Sequence, residues 1–133
     1  MELYKKNTNL EKIRILHDSL FGEFSSDKII EALPICIHEI DLDGKLIKMN
    51  KAGLCMLGET DVKGKEYLSY VSEEDKDRIN KLLKETLVDG ETKSFSFKSS
   101  VGTIYHSCFA PLVNNAKVVK IVGYTQENKK WII

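Results

Sequence analysis

The stretch from residue 40 to residue 47 reads Ile40-Asp41-Leu42-Asp43-Gly44-Lys45-Leu46-Ile47. Asp43-Gly44 is a typical two-residue hairpin turn, because glycine accepts the backbone conformation that such turns require. Apolar residues alternate with polar ones on either side of it, which is the period of a strand. The sequence therefore predicts one strand over Ile35–Asp41 and a second strand, antiparallel to the first, over Lys45–Met49.

The residues before this hairpin have a helical period. Apolar side chains spaced by three and four predict an amphipathic N-terminal helix; they are Leu10, Ile13, His17, Leu20 and Phe24. A second, shorter helix is predicted from Ser26 onward, and Pro34 stops it because the residue before a proline disfavours the helical conformation.

The segment after the hairpin is also mainly helical. Asn50 is a good N-cap and Gly58 a good C-terminal stop for a short helix between them. The stretch Glu59–Tyr70 is predicted to be irregular or to form short helical turns. Ser72 followed by Asp75 resembles a capping box, and the longer helix that it opens should end at Asp89-Gly90.

The last third of the chain is predicted to form three strands. They cover Thr92–Ser99, Thr103–Val113 and Lys117–Gln126, with turns at Val101-Gly102 and Asn114-Asn115. Such short turns favour a meander. Together with the first hairpin, these strands predict an α+β fold: a five-stranded antiparallel sheet with helices on one face, preceded by the N-terminal amphipathic helix.

The amino-acid composition limits the kinds of partner that the chain can bind. The chain has 133 residues, and 20 Lys and Arg balance 20 Asp and Glu, so we expect no nucleic-acid partner and no acidic membrane surface. Its apolar runs are too short to cross a bilayer, and no signal peptide is recognisable. The odd number and wide spacing of Cys36, Cys55 and Cys108 predict free thiols in the cytoplasm rather than disulfides or a metal site.

The order of these elements and several short motifs resemble a PAS domain over roughly residues 33–127. The motifs that carry the resemblance are Leu33-Pro34, the hairpin from Ile40 to Ile47, Asn50 with Ala52 and Leu57-Gly58, Glu74-Asp75, Leu87, Gly90 and Val122-Gly123. The resemblance implies a division into a helical segment (1–32), a PAS-like domain (33–127) and a tail or linker start (128–133).

The resemblance also implies a function. PAS domains are sensory and regulatory modules of histidine kinases, cyclic-dinucleotide enzymes and transcription regulators, which bind a small ligand in the core or mediate dimerisation. No cofactor is identified. The cysteine motif of the light-sensing branch is absent, and Glu73–Asp89 contains no histidine that could coordinate a haem iron, as one does in the haem-binding branch. The Asp-Ile-Thr signature that often ends the family's domain is here Glu127-Asn128-Lys129.

His38 is the most informative candidate for a binding residue. Strand alternation places His38 and Ile40 on one face, with Ile47 and Met49 on the matching face of the hairpin partner. In a PAS domain that face looks toward the helices and the ligand pocket. The resemblance therefore implies a ligand-binding set that points between sheet and helices: His38, Ile40, Ile47, Met49, Leu54, Leu83 and Phe97.

Other interpretations of His38 stay open at this point. It could be a core histidine hydrogen-bonded by the backbone or by Tyr105, a ligand of haem iron, or the base of a small α+β pocket enzyme acting with a carboxylate. The histidines form neither a recognisable triad nor an i, i+4 metal pair, so we assign no catalytic and no metal-binding residue. The inward face of the 103–113 strand also stays open.

The N-terminal stripe predicts self-association. PAS-like domains tend to pair through a helix that precedes the first strand, and two-fold pairing is the commonest solution for a self-complementary surface. The alternative is that the stripe covers the outer face of its own sheet. A downstream signalling domain or protein is the other partner that the resemblance implies.

Overall fold

The structure is a computed structural model that describes residues 26–128, with side chains from Lys28 onward. The predicted amphipathic helix with its stripe, and the predicted tail, lie outside these residues. Residue contacts divide the chain into two units, Met1–Glu31 and Ala32–Ile133, and the sheet belongs to the second. A short helix, α1 (Ser26–Ala32), ends at the boundary.

The predicted hairpin is confirmed, with strands β1 (Cys36–Ile40) and β2 (Leu46–Met49) paired antiparallel. Its turn is longer than the predicted two residues, because the N–H of Asp41 donates to the carbonyl of Lys45 at 2.8 Å, across Leu42, Asp43 and Gly44. The Asp41 carboxylate accepts the backbone N–H groups of Asp43 and Lys45, both at 2.9 Å. Gly44 follows with a φ of +85°, which glycine adopts without strain. The turn is therefore held by a side chain that precedes it and by a glycine within it.

Asn50 caps helix α2 (Lys51–Leu57) and also ties it to β1. Its Oδ1 accepts the N–H of Gly53 at 3.1 Å and of Ile37 at 2.9 Å, and its Nδ2 donates to the carbonyl of Ile35 at 2.8 Å. A Cβ at Gly53 would lie only 2.5 Å from Met49 Cγ, so α2 packs closely on the sheet. The predicted cap is confirmed, and it fixes where α2 sits.

A 3₁₀ helix (Tyr67–Tyr70) and helix α3 (Lys76–Asp89) complete the helical layer. The predicted capping box is wrong, because Asp75 is the N-cap residue and makes no side-chain cap hydrogen bond. Its carboxylate instead accepts the backbone N–H of Lys98 at 2.8 Å, and the N–H of Ser72 donates to the carbonyl of Lys98 at 2.8 Å. The Ser72 N–H and the Asp75 carboxylate thus hold the start of α3 against the end of a strand, whereas the Ser72 hydroxyl has no hydrogen-bond partner among the described residues.

The C-terminal meander is confirmed as β3 (Lys93–Lys98), β4 (Ile104–Asn114) and β5 (Lys117–Glu127). The sheet is antiparallel with the order β2-β1-β5-β4-β3. The last turn is one residue later than predicted: Asn114 pairs with Lys117, which leaves Asn115 and Ala116 in the turn with φ values of +52° and +61°. Two left-handed residues match the right-handed twist of the flanking strands.

The core lies between the sheet and the helices. Helix α2 packs on β1, and α3 packs on β3 and β4. Alternate residues of the strands are buried against this layer, which explains the alternation seen in the sequence. The fully buried large residues include Ile40, Leu46, Val62, Val71, Ile79, Phe109 and Ile121. The predicted α+β sheet-and-helix architecture is confirmed.

Candidate ligand site in the core

His38 lies in the middle of β1 with a side chain that is 1% exposed. Its imidazole stacks on the ring of Tyr67, with centroids 5.3 Å apart and an angle of 27° between the planes. Its Nδ1 is 3.7 Å from the Sγ of Cys36, two residues earlier on the same face. The partner of the histidine ring is therefore Tyr67 rather than Tyr105.

Gly123 makes room for this imidazole. It lies opposite His38 on β5, and a Cβ at this position would be 2.8 Å from His38 Nε2 and would also clash with the backbone oxygen of Cys108. Any side chain at residue 123 would therefore displace the histidine or the neighbouring strand. The site depends on a close approach between the ring and the sheet backbone.

Two buried polar atoms beside this contact have no hydrogen-bond partner among the described residues. They are His38 Nε2 and the hydroxyl oxygen of Tyr67. The nearby hydroxyls are already engaged, since Ser107 Oγ donates to the carbonyl of Tyr124 at 2.7 Å and lies 2.8 Å from Thr125 Oγ1. Such orphaned groups are rare in folded proteins and are typical of sites that hold a water or a ligand.

Burial keeps every titratable group here neutral. It lowers the pKa of His38 from 6.5 to about 4 and raises the pKa of the Cys36 thiol to about 12. Burial also raises the pKa of the Tyr67 phenol; the Ser107 and Thr125 hydroxyls, which lie near the phenol without reaching hydrogen-bond geometry, oppose this less strongly. At neutral pH the imidazole, thiol and phenol are therefore all uncharged.

His38 and Tyr67 line an internal cavity of about 30 Å³. Within residues 26–128, no charged side chain lines it, and the lining residues are Cys36, His38, Leu46, Met49, Met56, Leu57, Tyr67, Tyr70, Phe97, Tyr105 and Thr125. A volume of about 10–15 Å³ on this measure admits one water, whereas pockets for drug-sized ligands measure several hundred Å³. The cavity thus has room for a very small molecule.

A larger cleft lies next to this cavity. It has a volume of about 520 Å³ and is lined by residues from the start of β1, from α2 and from the end of β5. The cleft and the cavity share three lining residues, Cys36, Met56 and Thr125. These side chains therefore separate the two spaces, and Met56 is the one with the most rotatable bonds.

Tyr70 closes the cavity on another side. Its hydroxyl donates to Glu59 Oε1 at 3.2 Å, and Lys65 Nζ binds Glu59 Oε2 at 2.8 Å. The bond to Lys65 lowers the pKa of the Glu59 carboxyl. Because this group of three side chains is at the surface, it contributes little to the free energy of unfolding, but it orients Tyr70 over the cavity.

The predicted set of site residues divides into three groups. His38, Met49 and Phe97 line the cavity. Ile40 and Leu83 are buried in the same core, and Leu54 is partly buried against it, but none of the three lines the cavity. The inward orientation predicted for Ile47 is wrong, because this side chain is 36% exposed.

A β-bulge explains the error at Ile47. His38 pairs with Met49 and Glu39 with Lys48, but Ile40 pairs with Leu46, so Ile47 is an extra residue in β2. Leu46 rather than Ile47 is buried, and its backbone is bonded on the other side to Lys65 and Gly64 at 2.8 Å. A bulge breaks the alternation of sides on which the prediction rested.

Cys36, Tyr67 and Thr125 were not predicted to belong to the site. Cys36 could have been found from alternation, since it lies two residues before His38 on β1. Tyr67 and Thr125 carry no comparable signal, because they reach the cavity from a 3₁₀ helix and from the last strand. The strand pairing shows which face of the 103–113 strand points inward. Phe97 lies opposite Tyr105 and Phe95 opposite Ser107, and all four are buried.

Two further features are absent from residues 26–128. No group of three or more His, Cys, Asp or Glu side chains there could hold a metal ion. No helix in that part of the chain is long and apolar enough to cross a membrane.

Comparisons with known proteins agree with the architecture. No protein-family model and no curated protein sequence matches the chain. Among solved structures, the PAS domain of a Colwellia psychrerythraea protein has a TM-score of 0.68 and 17% identity over 75% of this chain and 91% of that one.

Two other neighbours come from different organisms. The N-terminal domain of a diguanylate cyclase with a PAS/PAC sensor, from Marinobacter aquaeolei, has a TM-score of 0.61 and 10% identity over 70% of this chain and 94% of that one. The PAS-B domain of Drosophila melanogaster Cycle, with bound ethylene glycol, has a TM-score of 0.58 and 14% identity over 69% and 98%. The chain therefore has the fold of a PAS domain.

Proposed function

We propose that this PAS-fold domain is a sensory module of a larger signalling protein and that it binds a small molecule in the cavity beside His38. One observation carries the proposal: two buried polar atoms without partners, His38 Nε2 and the Tyr67 hydroxyl, belong to side chains that line one cavity. A buried polar group without a hydrogen bond costs about 1–3 kcal/mol. A bound molecule that satisfies both groups recovers part of that cost.

The neighbours support the same class of function. One of them is part of a diguanylate cyclase with a PAS/PAC sensor, and another was solved with bound ethylene glycol. A sensory role gives the internal cavity a purpose, since a ligand there touches β1, β5, α2 and the 3₁₀ helix together. The free thiols Cys36, Cys55 and Cys108 are consistent with a cytoplasmic protein.

Two alternative functions fit this site less well. A haem or a flavin needs far more room than a cavity of about 30 Å³ provides, and the residues present do not fit either group. An enzyme that uses His38 as a base needs a carboxylate or another polar partner to orient the ring. No Asp or Glu among the described residues lines the cavity, and Cys36 is the neighbour of Nδ1.

We also propose that the signal leaves through pairing of the domain with a second copy and through a downstream domain. The support is the apolar stripe with Leu10, Ile13, Leu20 and Phe24, whose spacing of three and four suits a helix that pairs with another helix. A ligand that binds the paired state more tightly than the unpaired state shifts the equilibrium toward pairing, which transmits a binding event without chemistry.

The ligand proposal can be tested by NMR titration of protein labelled at the histidine Cε1 carbon. The probes are acetamide, acetate and phenol, which differ in charge and size. We expect at least one probe to shift the His38 signal in a saturable way, while the signal of His106, which lines the adjoining cleft, reports a probe that binds there instead. If every probe leaves His38 unchanged in the chain and in Met56→Ala, which widens the cavity, the ligand proposal is wrong.

A further inference from the structure

We infer that the core site selects a neutral small molecule bearing a hydroxyl or an amide group and rejects anions. This inference rests on the proposed function, because it names the class of ligand for the same cavity. It goes further in that it identifies the chemical group that the ligand must present to His38 and Tyr67.

The charge of the ligand follows from the cavity wall. Among the described residues, no Lys, Arg, Asp or Glu lines it, and the imidazole is held in its neutral form by burial. A carboxylate or phosphate placed there would lose its hydration without gaining a cation, which costs several kcal/mol. The ion pair between Lys65 and Glu59 is on the outer side of Tyr70. The charges of its two side chains compensate each other.

The hydrogen-bonding group follows from the two orphaned atoms. The Tyr67 hydroxyl can donate one hydrogen bond and accept another. His38 Nε2 donates if the Cys36 thiol donates to Nδ1, and it accepts if Nδ1 carries the proton. A ligand group that both donates and accepts satisfies either tautomer, and hydroxyl and primary amide groups have this property.

The size of the ligand follows from the volumes of the cavity and of the adjoining cleft, and from the side chains that separate them. A volume of about 30 Å³ holds one or two waters, so it admits little more than the polar group of a ligand. A longer ligand must displace Met56 and extend into the adjoining cleft of about 520 Å³. The inference therefore places the polar end of the ligand in the cavity, whatever the length of the remainder.

Acetamide and acetate form a matched pair of probes, because they have the same shape and differ in charge at neutral pH. With the His38 signal as the reporter, acetamide should bind saturably, and acetate should cause no saturable shift. Tyr67→Phe, which removes only the hydroxyl, should weaken acetamide binding about three- to tenfold, as expected for one neutral hydrogen bond. Circular dichroism of Tyr67→Phe confirms that the variant is folded.

The outcomes separate this inference from the proposed function. Acetate binding as tightly as acetamide would overturn the neutral-ligand inference while leaving a core ligand site in place. If Tyr67→Phe binds acetamide as tightly as the unaltered chain does, the claim that the Tyr67 hydroxyl anchors the ligand is wrong. If acetamide, acetate and phenol all leave His38 unchanged, in the chain and in Met56→Ala, then the inference and the proposed function both fail.

Discussion

Acid should destabilise the domain through His38, over a pH window that the structure defines. Burial lowers the pKa of this imidazole from 6.5 in the unfolded chain to about 4 in the folded one. Between these two values the unfolded chain binds a proton that the folded chain does not bind. Unfolding is therefore favoured progressively as the pH falls through the window, and the contribution of His38 is constant above it.

The size of this effect can be worked out from the two pKa values. Across the whole window, the shift of His38 corresponds to about 3 kcal/mol of unfolding free energy. Between about pH 7.5 and pH 5 the loss should be about 2 kcal/mol, and the direction is a loss of stability with acid. This is a large fraction of the stability of a domain of this size.

Urea denaturation of ligand-free protein at these two pH values measures the effect directly. Carboxyl groups with lowered pKa values, namely Glu59, Asp75 and Asp89, titrate below this range and contribute little within it. His38→Gln should be nearly independent of pH over the same interval, whereas His106→Gln should keep the dependence. An unfolding free energy that does not change with pH, or a dependence that survives in His38→Gln, would refute the reasoning.

Three further predictions concern packing, capping and assembly. Ile40→Ala should cost about 2–5 kcal/mol in urea denaturation, whereas Ile47→Ala, at the exposed bulge, should cost less than about 1 kcal/mol; equal costs would contradict the bulge. Asn50→Ala should lower the free energy of unfolding by about 2 kcal/mol or more because three hydrogen bonds are lost, and Asn50→Asp, which keeps the acceptor, should lower it less. If Asn50→Ala leaves the free energy of unfolding unchanged, the cap does not hold α2. Light scattering should find a dimer for the chain at micromolar concentration and a monomer for Leu20→Glu, and a monomeric unaltered chain or a dimeric variant would defeat the pairing proposal.

The parts of the fold that were predictable are those determined by neighbouring residues. The turn at Asp43-Gly44 and the helix between Asn50 and Gly58 each depend on a few adjacent side chains and one glycine. The burial of His38 was also predictable, because strand alternation places it on the same side as Ile40. For these features, local chemistry and the final structure favour the same conformation.

The parts that were not predictable depend on contacts between distant residues. The stacking of His38 on Tyr67 joins a strand to a 3₁₀ helix, and no periodicity links the two positions. The segment from Lys45 to Met49 allows either Leu46 or Ile47 to face inward, and the bulge opposite Ile40 decides between them. The capping box failed for a similar reason, since the Asp75 carboxylate binds the distant backbone of Lys98.

The occupancy of the core cavity tests the central claim most directly. A high-resolution structure of a crystal soaked in acetamide should show electron density larger than a water in the cavity, hydrogen-bonded to His38 Nε2 or to the Tyr67 hydroxyl. Its distance to either atom should be about 2.7–3.2 Å. A cavity that holds only a water, or a cavity without density, would contradict the claim that this is a ligand site.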